Sequence, residues 1–358
     1  MNRILAAIKP DLRALDAYSL KERQFEVKLN QNESPFDLPG SMKQELWQEF
    51  QQRAWNRYPS FGNQPLVKKL AERLGMDPAS LLVGNGSNEL LQCLVSATLC
   101  KGKRALTVTP TFGIYAQLVQ VAGAEFLQIP LAEDWTFPVF EITETLVRED
   151  VDLCILCVPN SPTGTALERK SLAQILDAAP GLVLVDEAYC EFSQNDNLSL
   201  LGSYPNLILT RTFSKAMGLA GLRIGYMISS PELITEINKA KLPYNLDIFS
   251  ELVATKLLDA PALVAQNVER ILAERQRVTK TVNEIDGATA LPSDTNFFML
   301  ETSLAAGDLF ERLLSRGVLV RDISKYDARL TNKVRVTVGK PEENDRFLTA
   351  LRQCLSGR

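Results

Sequence analysis

The chain has 358 residues, 46% hydrophobic and 23% charged, which are ordinary proportions for a globular protein. Its 39 basic and 43 acidic residues leave a net charge of −4 with no run of like charges, so nothing favours a nucleic-acid partner. Histidine is absent, which excludes a Ser-His-Asp triad, a Cys-His pair and any histidine-ligated metal; acid–base chemistry falls to Lys, Asp, Glu, Tyr or a cofactor.

This length predicts a large domain plus a smaller one. No apolar stretch is long enough to span a bilayer, and the N-terminus lacks the pattern of a signal peptide, so the expected compartment is the cytoplasm. Of the six cysteines, Cys154 and Cys157 have redox-motif spacing but sit in an apolar strand-like run. With no second pair to complete a site they read as packing residues, and no metal is expected.

Residues 1–40 read as an irregular arm broken by Pro10, Pro35, Pro39 and Gly40. A helix is predicted from Ser41 to about Arg53, then an Asn56-Arg57-Tyr58-Pro59 turn, then a helix over Leu66 to Leu74. Gly84-Asn85-Gly86-Ser87-Asn88 precedes a helix running to Leu99. Glycines before a helix start, with free N–H groups and the helix dipole behind them, suit an anion, although Ser and Asn also serve as plain caps. The third glycine of a dinucleotide fingerprint and the Gly-Lys-Ser/Thr of a P-loop are both missing.

Strand-like runs follow at Ala105–Thr109, Glu125–Ile129, Leu153–Val158, Leu182–Val185, Leu207–Leu209 and Ile224–Ile228, with helical segments between most of them. This βαβ rhythm predicts an α/β fold with a mostly parallel sheet. Candidate site residues fall just after strand ends, where such folds place their chemistry. Phe112 follows the first, although spacing alone reads it as a core aromatic. Asn160 and Ser161 follow the third. Asp186 and Tyr189 follow the fourth, and a carboxylate there needs a cationic partner if buried. Lys215 follows the fifth, flanked by Arg211 and Arg223, which would depress its amine pKa and make it a nucleophile. One long helix is predicted to cover much of Phe249–Ile285, followed by a second α+β unit with strands at Asn296–Leu300, Val318–Val320 and Val334–Val338. Arg335 alternates with valines and faces away from their core side.

The stretch Ser214-Lys215-Ala216-Met217-Gly218-Leu219-Ala220-Gly221-Leu222-Arg223-Ile224-Gly225 closely resembles the cofactor-lysine motif of class I/II aminotransferases, the pyridoxal-phosphate (PLP) enzymes of fold type I. Pro159–Gly164, Asp186-Glu187-Ala188-Tyr189 and Leu29–Pro35 match further segments in order, the last resembling the histidinol-phosphate aminotransferase branch. The resemblance implies a seven-stranded, mostly parallel sheet. It divides the chain into an arm (1–40), a large domain (41–250), a long interdomain helix (251–285) and a small domain (286–358).

It further implies a homodimer with shared sites. Lys215 would be covalent anchor and general base, with Asp186 at the pyridine nitrogen and Tyr189 at the 3-oxygen. Gly86, Ser87, Asn88, Thr212, Ser214 and Arg223 would surround the cofactor, its phosphate end included, with Tyr58 reaching that phosphate from the other subunit. Phe112 would stack on the ring. Where the family's turn has a second asparagine this chain has Ser161, so Asn160 or Ser161 would stand in for it. Tyr18, Asn32 and Arg335 would meet the substrate, and Arg321 would be structural. The implied reaction exchanges an amino group between histidinol phosphate and 2-oxoglutarate. An aromatic amino-acid aminotransferase, a threonine-phosphate decarboxylase and a noncatalytic PLP-binding module stay open as alternatives.

Overall fold

The computed structural model describes residues 2–13, 23–193 and 196–356; Tyr18 lies outside the described residues. Among them thirteen strands form three sheets. The arm contributes β1 (Val27–Lys28). The main sheet contains β2 (Leu81–Gly84), β3 (Arg104–Thr109), β4 (Glu125–Pro130), β5 (Leu153–Cys157), β6 (Leu182–Asp186), β7 (Leu207–Thr212) and β8 (Gly225–Ile228), in the order β2-β8-β7-β6-β5-β3-β4. The pairings β4–β3–β5–β6–β7 are parallel, and β8 runs antiparallel to both its neighbours.

The apolar runs explain the sheet's centre. Every residue of β5 and all but the first of β6 are buried, as expected of parallel strands covered on both faces. Cys154 and Cys157 sit within that layer as free thiols, and burial pushes the Cys154 thiol up to about 12, far from a reactive thiolate. The C-terminal ends of β3, β5, β6 and β7 share one edge of the sheet, so the loops after them converge.

Several elements differ from the sequence reading, the short β1 in the arm among them. Strand β2 was not expected; it is four buried residues paired only with β8. The single helix predicted over Phe249–Ile285 is two, Ile248–Leu257 and Pro261–Val282. Pro261 starts the second because it has no amide proton to continue the first.

A four-stranded antiparallel sheet follows, with β9 (Ala288–Ala290), β10 (Phe297–Thr302), β12 (Arg321–Asp322) and β13 (Lys333–Thr337) in the order β12-β13-β10-β9. The arm is tied to this unit: β1 pairs in parallel with β11 (Val318–Leu319), and the Thr337 amide donates to the Leu29 carbonyl. The chain beyond β1 is thereby led past the loop that carries Lys215. No helix among the described residues is long and apolar enough to cross a membrane.

Candidate active site

Lys215 lies three residues beyond the end of β7, in a loop whose start is fixed by Thr212. The Thr212 hydroxyl accepts from the Ser214 amide and donates to the Ile224 carbonyl, so it braces the loop from within. The Lys215 amine donates to the Gln31 carbonyl of the arm at 2.9 Å. Burial, then the nearby positive charge of Arg335, lowers its pKa to about 7. Such an amine is substantially neutral at physiological pH and thus nucleophilic.

Asp186 ends β6 and is 3% exposed. Its oxygens accept from the Tyr115 hydroxyl at 2.8 Å and the Ala188 amide at 3.2 Å. Both donors are neutral, and burial raises the carboxyl to about pKa 6. Tyr189 is also buried, and its hydroxyl accepts from the Asn32 side-chain amide at 2.9 Å. Asn32 is 1% exposed, with a left-handed backbone (φ 56°), and its amide oxygen accepts from Thr337. In this structure the Asn32 amide braces Tyr189 and joins the arm to the small sheet.

The helix Ser87–Thr98 starts with no side chain capping its first turn. Gly86 there has φ 79°, and a Cβ on it would lie 2.7 Å from the Arg223 guanidinium. A Cβ on Gly225 would lie 2.3 Å from the Ser87 nitrogen, so only glycine lets β8 approach the helix start this closely. Arg223, itself left-handed (φ 54°), donates to the Ser214 hydroxyl at 3.4 Å. Helix N-terminus, hydroxyl and guanidinium thus make one anion cradle.

Arg335 on β13 donates to the Ser161 hydroxyl and to the Asn30 carbonyl, each at 3.0 Å. Because Lys215 binds the next carbonyl, Gln31, the amine and the guanidinium meet the arm at adjacent residues. Asn160 and Ser161, the two candidates for the family's turn amide, have different partners. Asn160 is fully buried, its N–H groups donate to the Pro110 carbonyl and Thr163 hydroxyl, and its oxygen accepts from Thr111. It ties two turns together, and Ser161 is the turn residue that faces Arg335.

The aminotransferase class I and II family model matches residues 26–351. The chain is 40% identical over 348 residues to the histidinol-phosphate aminotransferase of Chlorobaculum tepidum, covering 97% of this chain and 99% of that one. It belongs to the class I and II aminotransferases. It is also 39% identical to the histidinol-phosphate aminotransferase of Chlorobaculum parvum, over 98% of both chains. Among solved structures it resembles histidinol-phosphate aminotransferase from Sinorhizobium meliloti in complex with pyridoxal-5′-phosphate. That likeness has a TM-score of 0.89, 26% identity and 98% coverage of each chain.

Two residues beside this aminotransferase site were not among the candidates of the sequence reading. Tyr115, which meets Asp186, gave no signal beyond an aromatic near a helix start. Arg321, expected to be structural, is set directly opposite Arg335 by the β12–β13 pairing. Cross-strand partners project from the same face, so the two arginines stand side by side. Arg321 donates to the Tyr326 hydroxyl at 2.8 Å. Phe112 is 37% exposed and meets the Tyr115 ring edge-on. Tyr58 is 80% exposed and stacks on Tyr244 at 4.4 Å. The Asn88 side chain is exposed beside the cradle.

Proposed function

We propose that the chain is a cytoplasmic PLP-dependent aminotransferase that works as a homodimer on histidinol phosphate and 2-oxoglutarate. The residues present fit PLP. Asp186 is a buried carboxylate whose donors among the described residues are neutral, suited to a pyridinium nitrogen. The cradle at Gly86, Ser87, Asn88, Ser214 and Arg223 suits a phosphate, Tyr189 the ring's 3-oxygen and Phe112 a ring face. When bound, PLP supplies an electrophilic aldehyde and an electron sink.

The protein's own groups do the rest. Lys215, with its lowered pKa, anchors the cofactor and, once released, takes the proton from the substrate α-carbon. Asp186 keeps the ring nitrogen protonated. The arm and small sheet close over the substrate end, consistent with reading 1–40, 41–250, 251–285 and 286–358 as arm, large domain, linker and small domain.

One observation carries the substrate: Arg321 and Arg335 are register partners at that end. Paired guanidiniums grip phosphate and carboxylate oxygens alike, as a donor with a phosphate and an acceptor with carboxylates demand. The relatives' names point the same way. The dimer is supported by the exposed aromatics Trp55, Tyr58, Phe61 and Tyr244, a patch of the kind that subunits cover. Through it Tyr58 would reach the neighbouring subunit's cradle.

A half-reaction screen tests the proposal. The PLP-loaded protein is mixed in turn with histidinol phosphate, phenylalanine, tyrosine and threonine phosphate, and the cofactor's absorbance is followed. Histidinol phosphate should bleach the visible band fastest, yield a keto product without CO2, and 2-oxoglutarate should restore the band. A response to phenylalanine alone would make this an aromatic aminotransferase, and CO2 release from threonine phosphate a decarboxylase.

A further inference from the structure

Tyr115 sits in the first turn of the helix Ile114–Ala122 and is 1% exposed. A buried phenol must place its proton. Here it donates to Asp186 at 2.8 Å. Its ring lies 5.5 Å from that of Phe112, at 88°. One side chain therefore touches both the carboxylate suited to a pyridine nitrogen and the aromatic suited to the ring's face.

We propose that Tyr115 is a positioning residue of this site: its hydroxyl aims Asp186 and holds it ionised, while its ring sets the tilt of Phe112. The inference rests on the PLP reading.

The physical need is plain. A carboxylate can hold a proton on a pyridine nitrogen only while it remains the weaker base of the two. Burial works against this by raising the Asp186 carboxyl. A hydrogen bond to the ionised form opposes burial. The titratable groups acting on Asp186 are Tyr115 from its helix, Cys157 from β5, Glu187 next in the chain and Lys215 from the loop after β7. Of these three acidic neighbours, Tyr115 is the one that donates to the Asp186 carboxylate, and Glu187 raises its pKa further. Asp186 Oδ1 also accepts from the Ala188 amide at 3.2 Å. That bond comes from Asp186's own loop and fixes no other element, whereas Tyr115 ties the carboxylate to the helix after β3.

Tyr115→Phe keeps the ring and its packing against Phe112 and removes only the donor. Three readouts of the PLP-loaded protein are compared with the wild type: PLP affinity by fluorescence titration, the wavelength of the visible band, and that band's pH midpoint. Affinity should fall about tenfold, the size expected for one hydrogen bond to a charged group. The band should shift and its midpoint move up. In an Asp186→Asn background, Tyr115→Phe should have no further effect, because the charge it serves is gone. Placing 3-fluorotyrosine at 115, a stronger donor of the same shape, should shift the midpoint the other way and keeps the test open if the phenylalanine variant folds poorly. Unchanged band and affinity in Tyr115→Phe would overturn the inference, as would equal losses in both backgrounds, which mark mere packing. A wild type that takes up no PLP would instead sink the cofactor reading.

Discussion

Asp186 and Glu187 are consecutive, both acidic and 3% and 1% exposed, yet they are handled in opposite ways. Asp186 ends β6 and Glu187 is the first residue beyond it, and the two side chains meet different partners. Glu187 meets an arginine of its own chain, with Arg211 Nε at 2.8 Å and the Asn197 amide at 2.9 Å, and Arg211 goes on to Asp196. Asp186 receives a phenol and a backbone amide, and among the described residues no cation is in salt-bridge contact with it. A buried charge that brings its counter-charge belongs to the fold. One supplied only with neutral donors is held for a cation that a ligand brings.

The comparison predicts that the cleft side of this strand end can be altered without loss of fold, and that the other side cannot. Lys215→Ala is the strongest break on the cleft side. Turnover should vanish while the protein still folds and binds PLP noncovalently, and borohydride should fix the cofactor to Lys215 in the wild type only. Full turnover in this variant would end the reading of the site.

The two carboxylates give the next largest effects, in different currencies. Glu187→Gln leaves Arg211 buried beside a neutral amide, so unfolding in denaturant should show a loss of about 3–5 kcal/mol. Its folded fraction should turn over within severalfold of the wild type. Asp186→Asn should do the reverse, lowering kcat roughly 10²–10³-fold, as loss of a key electrostatic group does, with little change in melting temperature. If both variants lost stability equally, the division between the two carboxylates would be wrong.

Much of the main sheet is legible in the sequence. The apolar runs marked β3 to β8, and with them the strand-end positions of Asp186 and Lys215. What stayed hidden depends on contacts between distant parts of the chain. Tyr115 meets Asp186 only because β3, β5 and β6 lie in that order, and Asn32 meets Tyr189 across 157 residues. The position of Arg321 beside Arg335 exists only in the β12–β13 register. Strand β2 was too short to show an alternation of its own.

The lysine's pKa offers a milder test. Lys215 is lowered to about 7, so the neutral amine is a minor species below that pH and the main one above it. Covalent PLP uptake by cofactor-stripped protein should rise about tenfold per pH unit below 7 and level off above it. The sign for stability follows from linkage. Between pH 7 and the ordinary lysine value the unfolded chain binds the extra proton, so Lys215 makes the stripped protein more stable as pH rises through that window. Lys215→Met should remove that slope. A rate still climbing at pH 9 would place the amine outside the buried, positively charged setting described here.

The smallest effect is expected one strand over, where the same division recurs between Asn160 and Ser161. Asn160 is spent on the Pro110, Thr111 and Thr163 contacts that hold two turns together. Ser161 turns its hydroxyl to Arg335 at 3.0 Å. Removing that acceptor leaves Arg335 its second bond, to the Asn30 carbonyl, and lets the guanidinium swing. Ser161→Ala should therefore raise KM for both the phosphate donor and the dicarboxylate acceptor about fivefold, the worth of one ordinary hydrogen bond, and leave kcat nearly unchanged. Ser161→Asn restores an acceptor at this position and should recover most of the affinity. Asn160→Ala, by contrast, strands a buried carbonyl and a hydroxyl, so it should appear as about 1–3 kcal/mol of lost stability instead of a KM change. A Ser161→Ala enzyme with wild-type KM values would mean that Arg335 is aimed by the arm alone, and the pairing of a structural residue with a site residue would then hold at β6 but not at β5.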